Sequence, residues 1–142
     1  MKAENENFLF NTYPILYHGK DLPITENLMG FGFECGDGWF QIIDNLSKAL
    51  ETLNKLGTIK IQATQVKEKY GTLRFYYIIF FDDKYTKEEI NSFDVLINNL
   101  VGEAETLSET TCEECGKTGK LRYDIGWIRC LCTKHYRLEK KR

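Results

Sequence analysis

Ile59-Lys60-Ile61-Gln62-Ala63 and Leu73-Arg74-Phe75-Tyr76-Tyr77-Ile78-Ile79 decide the fold. In the first segment, apolar Ile59, Ile61 and Ala63 alternate with Lys60 and Gln62. In the second, Leu73, Phe75, Tyr77 and Ile79 alternate with Arg74, Tyr76 and Ile78. A period of two sends successive side chains to opposite faces, so both segments read as strands. The polar link Lys67-Glu68-Lys69-Tyr70-Gly71 joins them most simply as an antiparallel hairpin. Towards Phe80-Phe81 the second strand is apolar on both faces, which predicts cover on both sides there. Two strands alone are marginal, so a third is expected, either from the N-terminal arm or from a partner chain.

Helices flank this hairpin. Trp39, Ile42, Ile43, Leu46, Ala49, Leu50, Leu53 and Leu56 recur at three- and four-residue steps and form one apolar face. Asp37 stands where an N-cap is needed, and Gly57 where the helix must stop. Beyond the strands, Thr86 and Glu89 have the spacing of a capping box. Ile90, Phe93, Ile97, Leu100, Val101, Ala104 and Leu107 continue it as a second amphipathic helix. Residues 8–34 have no clean period, and Pro14 and Pro23 interrupt any helix, so this part reads as an extended arm laid on the core. The fold class is α+β: an arm–α–β–β–α domain over residues 1–111, followed by a small module over residues 112–142.

Composition supports a folded chain. Its 142 residues are 42% hydrophobic and 13% aromatic, and two prolines without low-complexity runs exclude a disordered one. The longest apolar run, Phe75 to Phe81, is too short for a membrane-spanning helix. The polar, acidic start Met1-Lys2-Ala3-Glu4-Asn5-Glu6-Asn7 is not read as a signal peptide. Five cysteines in that setting suggest a reducing, cytoplasmic location rather than a disulfide framework.

The net charge of −2 hides an asymmetry. Residues 1–111 hold 10 Lys/Arg against 17 Asp/Glu, a balance of −7, and residues 112–142 hold 9 against 4, a balance of +5. The acidic part argues against non-specific wrapping on nucleic acid, while the basic end can meet phosphate or an acidic protein face.

Cys112-Glu113-Glu114-Cys115 and Cys132-Thr133-Lys134-His135 are two ligand pairs with 16 residues between them. Such pairs read as a tetrahedral zinc site. Gly116 permits the tight turn after the second cysteine. Leu121-Arg122-Tyr123 and Trp127-Ile128-Arg129 read as a short hairpin across Asp124-Ile125-Gly126, and Cys132 opens a last helix. Knuckle, hairpin and ligand-bearing helix follow in the order of a treble-clef finger, which the segment looks like. Four protein ligands make one closed, structural Zn2+ site. Cys130 and Cys132 are an alternative second pair that leaves His135 free. The two-residue spacing favours Cys132 and His135, with Cys130 then a small buried residue. A redox role for Cys112 and Cys115 leaves the second pair unexplained.

A second site has two candidate segments. Glu34, Cys35, Asp37 and Trp39 lie in a glycine-rich turn before a helix; Lys67, Lys69, Tyr70 and Arg74 lie around the hairpin tip. A glycine-rich helix start can bind phosphate through its N–H groups, but Asp37 repels anions and suits a cap. Cys35 as a nucleophile needs a base, and His18, the only histidine outside the metal set, is not placed near it by anything in the sequence. Lys67, Lys69 and Arg74 form either a basic patch or a solvated tip.

The strings Gly32-Phe33-Glu34-Cys35-Gly36-Asp37-Gly38-Trp39 and Val66-Lys67-Glu68-Lys69-Tyr70-Gly71-Thr72-Leu73-Arg74-Phe75-Tyr76, followed by the Cys/His module, resemble a family of small, mostly uncharacterised phage- and prophage-encoded proteins. The likeness covers roughly residues 30–140. It implies a cytoplasmic protein of an infected or lysogenic bacterium, and it brings no catalytic residues.

The sequence thus favours a non-enzymatic, zinc-containing binding protein whose partner is a host protein, with antagonism of host defence suggested by the resemblance alone. The first alternative is a nucleic-acid accessory protein using Lys117, Lys120, Arg122, Arg129, Lys134, Arg137 and Lys140 to Arg142 on phosphates. The second is a small-nucleotide binder or enzyme centred on residues 34–39 and 67–74.

Overall fold

A computed structural model describes residues 1–142. Its elements run α1 (Ala3–Thr12), β1 (Phe33–Glu34), α2 (Phe40–Lys55), β2 (Ile59–Lys69), β3 (Thr72–Phe81), α3 (Lys87–Ser108), β4 (Lys120–Arg122), β5 (Arg129–Leu131) and α4 (Thr133–Glu139). The chain is α+β, with a three-stranded sheet β1-β2-β3 and a two-stranded sheet β4-β5. No helix is long and apolar enough to cross a membrane.

β2 and β3 pair antiparallel from Ile59↔Phe81 to Lys69↔Thr72, with a bulge between Ala63 and Gln65. The link is shorter than the polar composition suggests. Lys67, Glu68 and Lys69 belong to β2, opposite Arg74, Leu73 and Thr72, and only Tyr70 and Gly71 turn the chain. Both turn residues have positive φ, 54° and 80°, the backbone of a type I′ hairpin turn. The Glu68 carboxylate accepts the Gly71 N–H at 2.6 Å and tightens it.

The arm is not extended throughout. Residues 3–12 form α1, whose weak amphipathicity gives little local signal; long-range contacts hold it instead. Asp37 Oδ1 accepts from Lys2 N at 2.8 Å and Asn5 Nδ2 at 3.1 Å, and Glu6 Oε2 accepts from Phe33 N at 3.1 Å. Asp37 therefore serves α1 and does not cap α2, which follows a 3-10 turn over Asp37–Trp39. The arm does supply the third strand: β1 runs parallel to β2 at Phe33↔Val66 and Glu34↔Lys67.

One core joins these parts. Leu9, Leu16, Tyr17, Met29, Trp39, Ile43, Leu50, Ile61, Leu73 and Ile97 are fully buried. Glu51 on α2 accepts the Ile15 and Leu16 N–H groups, each at 3.0 Å, and Asn54 bonds both the N–H and the carbonyl of Ile61. A buried carboxylate and amide thus satisfy backbone groups where arm and strand meet the helix. The capping box of α3 is formed by Thr86 and Glu89, and Gly57 ends α2 with φ 76°.

The expected double cover of β3 is absent. Leu73 and Phe75 are buried and Tyr77, Ile79 and Phe81 partly buried, whereas Tyr76, Ile78 and Phe80 are 42–48% exposed. α2 packs on β2 and α3 on β3, and the opposite face of β3 stays exposed at Tyr76, Ile78 and Phe80.

Candidate metal centre

Cys112, Cys115, Cys132 and His135 gather at one point. Each offers one ligand atom, and the four atoms lie within 4.8 Å of one another. Cys132 Sγ is 3.2 Å from His135 Nδ1, Cys112 Sγ is 3.6 Å from the same nitrogen, and Cys115 Sγ is 3.8 Å from Cys132 Sγ. The set can hold a metal ion.

Local backbone explains the convergence. The Cys112 N–H donates to the Lys117 carbonyl at 2.7 Å, and the Gly116 N–H returns to the Cys112 carbonyl at 2.9 Å. Gly116 sits at φ 76°, the left-handed conformation that lets the turn close. Cys132 is the N-cap residue of α4, so His135 comes round on the first turn beside it. The Cys132 thiol is held down to about 6, chiefly by the His135 backbone N–H. Burial pushes the Cys112 thiol up.

Cys130 lies outside the set. It is fully buried on β5, opposite Leu121, and its thiol donates to the Glu109 carbonyl at 3.3 Å. β5 begins at Arg129, two residues beyond the Trp127 expected from the sequence.

The glycine-rich segment at 34–39 is the seat of the Cys112–Cys115 turn, the knuckle of the candidate centre. The Gly38 N–H donates to the Glu113 carbonyl at 2.7 Å, the Gly36 N–H to Glu113 Oε1 at 3.1 Å, and Trp39 Nε1 to the Thr111 carbonyl at 2.8 Å. A Cβ on Gly36 would stand 2.3 Å from the Glu113 carbonyl oxygen, and one on Gly38 would stand 2.0 Å from that of Cys112. These glycines are needed because one backbone lies directly on another. The hairpin tip is a second seat: a Cβ on Gly71 would meet Leu121 Cδ2 at 2.7 Å and Ile128 Cγ2 at 2.9 Å.

The candidate ligand residues consequently divide. Cys35 and Trp39 are buried, and Asp37 turns to α1. Burial raises the Cys35 thiol to about 12, and no hydrogen bond joins it to His18, which is exposed. Glu34, Lys67 and Arg74 instead form a row across β1, β2 and β3. Glu34 accepts from Gln65, Lys69 lies over the exposed Tyr70 ring, and Arg74 Nη1 donates to the Leu73 carbonyl.

The basic residues also divide. Arg129 is turned inward: it bridges Glu113 at 3.6 Å and Glu139 at 3.3 Å, and pairs with Glu114. It is not offered to phosphate as the sequence suggested, because the buried Glu113 needs a counter-charge. Arg122 stacks 4.1 Å from the Tyr136 ring centroid, Lys140 pairs with Asp124, and Arg142 pairs with Glu139. Lys117, Lys120, Lys134 and Arg137 are exposed and in no ion pair. The Arg129 network had no signal in the sequence beyond charge near the ligands.

A cleft of 370 Å³ between α2 and α3 is bordered by Gly38, Thr111 and Gly116 beside the knuckle. Ile42, Leu46, Ala49, Leu100, Ala104 and Leu107 line it, and Glu103 is its only ionisable residue. The chain matches no family model, no curated protein and no solved structure.

Proposed function

We propose that the chain is a non-enzymatic binding protein in which one structural Zn2+ closes a treble-clef-like finger onto the α+β domain, and that its partner is a protein. The observation that carries this is the convergence of three thiols and one imidazole. Thiolates about 2.3 Å from a tetrahedral zinc ion lie about 3.8 Å apart, and Cys115 and Cys132 have their sulfurs 3.8 Å apart. A Cys3His set favours zinc, and four protein ligands leave no coordination position for water or substrate.

Several features favour binding over chemistry. Cys35 is neutral near pH 7 and has no base, and the cleft beside the knuckle offers Glu103 alone. The charge balance of residues 1–111 and the internal pairing of Arg129, Lys140 and Arg142 favour a protein partner over nucleic acid. The resemblance of residues 32–39 and 66–76 to phage and prophage proteins favours a host protein. Exposed Tyr123 and Trp127, on the hairpin that also carries the exposed Lys120, keep single-stranded nucleic acid as the second reading.

Elemental analysis should give one zinc per chain. Capture from a host lysate should retain a protein after nuclease treatment. Binding that vanishes with nuclease and falls steeply with salt would transfer the function to nucleic acid.

A further inference from the structure

The exposed edge of β3 has one half that is covered and one that is not. The Leu73 N–H donates to Ser108 Oγ at 2.8 Å and the Phe75 N–H to Glu105 Oε1 at 3.0 Å, so both point away from β2. Strand alternation carries that outward direction to Tyr77, Ile79 and Phe81. Side-chain hydrogen bonds reach the β3 amides only at Leu73 and Phe75, not at these three N–H groups, and β3 is the last strand of its sheet. The open face beside them carries Tyr76, Ile78 and Phe80 with no charge between residues 75 and 81. Proteins normally blunt such an edge with charge, proline or a bulge; β3 uses none of these beyond Phe75.

The other side of the edge is acidic. α3 sets two carboxylates beside it, Asp94 and Glu105, and neither is in an ion pair. Asn98 accepts from Tyr77 Oη at 3.5 Å, and Asp94 lies four residues earlier on the same helical face. Glu105, seven residues beyond Asn98, is already at the edge through Phe75. A strand added beside β3 would turn alternate side chains to the apolar stripe and the others to Asp94, Asn98 and Glu105. A second copy of this chain would bring two acidic α3 helices together.

From this charge complementarity we infer that the Tyr77–Phe81 edge receives an extended segment of a partner protein in which apolar and basic residues alternate. Main-chain hydrogen bonds supply the affinity, and the two rows of side chains select the sequence. This deepens the protein-partner reading and rests on it.

The probes are capped peptides of about seven residues, alternating valine with lysine or valine with glutamate, added to the zinc-loaded full chain. Amide exchange should slow at Tyr77, Ile79 and Phe81 with the lysine peptide only. N-methylation of the peptide amides that face the edge should abolish the effect, and Asp94→Asn should weaken binding about threefold. Ile78→Lys, an exposed substitution, should remove binding while thermal unfolding stays cooperative. Three results would overturn the inference: no protection with either peptide, equal protection with both, or protection without peptide that grows with protein concentration, the mark of a second copy. If nuclease-resistant capture of a host protein survives Ile78→Lys, the binding function stands and the edge is not its site.

Discussion

Gly38 donates its N–H to the carbonyl of Glu113 at 2.7 Å, across 75 residues of chain, and has no room for a side chain on that side. Gly38→Ala would drive a Cβ into the Cys112 carbonyl, and neither backbone can step aside cheaply. The expected cost is at least about 2 kcal/mol by denaturant unfolding, with weaker metal retention because the displaced carbonyl belongs to a ligand residue. Gly102→Ala is the control: it stands in open space within α3 and should stabilise by about 0.5–1 kcal/mol.

Metal content separates the cysteines. Cys132→Ser and Cys112→Ser should lose the ion. Cys130→Ser should keep it, since that thiol is bonded to Glu109 and not to the cluster. Metal analysis of the purified variants reads this directly. A chelator should unfold the finger in the wild-type chain, because so small a module lacks a core of its own.

Arg129 is a structural cation. Arg129→Met leaves Glu113 buried without its counter-charge and should cost about 3 kcal/mol. Lys134→Met, at an exposed position in no ion pair, should fall within about 0.5 kcal/mol of wild type. Parallel thermal melts compare the two.

Asp37 should show its role through pH. Burial acts to raise its carboxyl, but the Lys2 N–H and Asn5 amide outweigh this and bring it below its ordinary value of 3.8. A carboxyl more acidic in the folded chain than in the unfolded one stabilises above the unfolded value, and that contribution is lost as pH falls through the folded value. The stability gap between wild type and Asp37→Asn should be full at about pH 6 and shrink below about pH 4. Denaturant midpoints of both proteins across that range test it.

Much of this architecture is legible in the sequence because it rests on local periodicity. The faces of α2 and α3, the alternation of β2 and β3, and the spacing of the four ligands need only neighbouring residues to be read. α1 is not legible, since Ala3–Thr12 has little amphipathic pattern and is held by Asp37 and Glu6 from a distance. Lys67-Glu68-Lys69 reads as a link because its charge hides its strand pairing. The glycines at 36, 38 and 71 signalled special backbone correctly, yet what they accommodate lies far along the chain. Tight packing and ligand binding both demand glycine, and only the fold distinguishes them.

The seat at Gly36 to Trp39 has a consequence for synthesis. Its partners, Thr111 and Glu113, leave the ribosome only after both long helices and the whole hairpin. Until then the Trp39 indole and two glycine N–H groups have nothing to bond but water. The clasp, a contact of high sequence separation, can therefore close only after the long helices and the hairpin have been made. A chain interrupted before residue 111 would carry a nearly complete domain with its keystone missing.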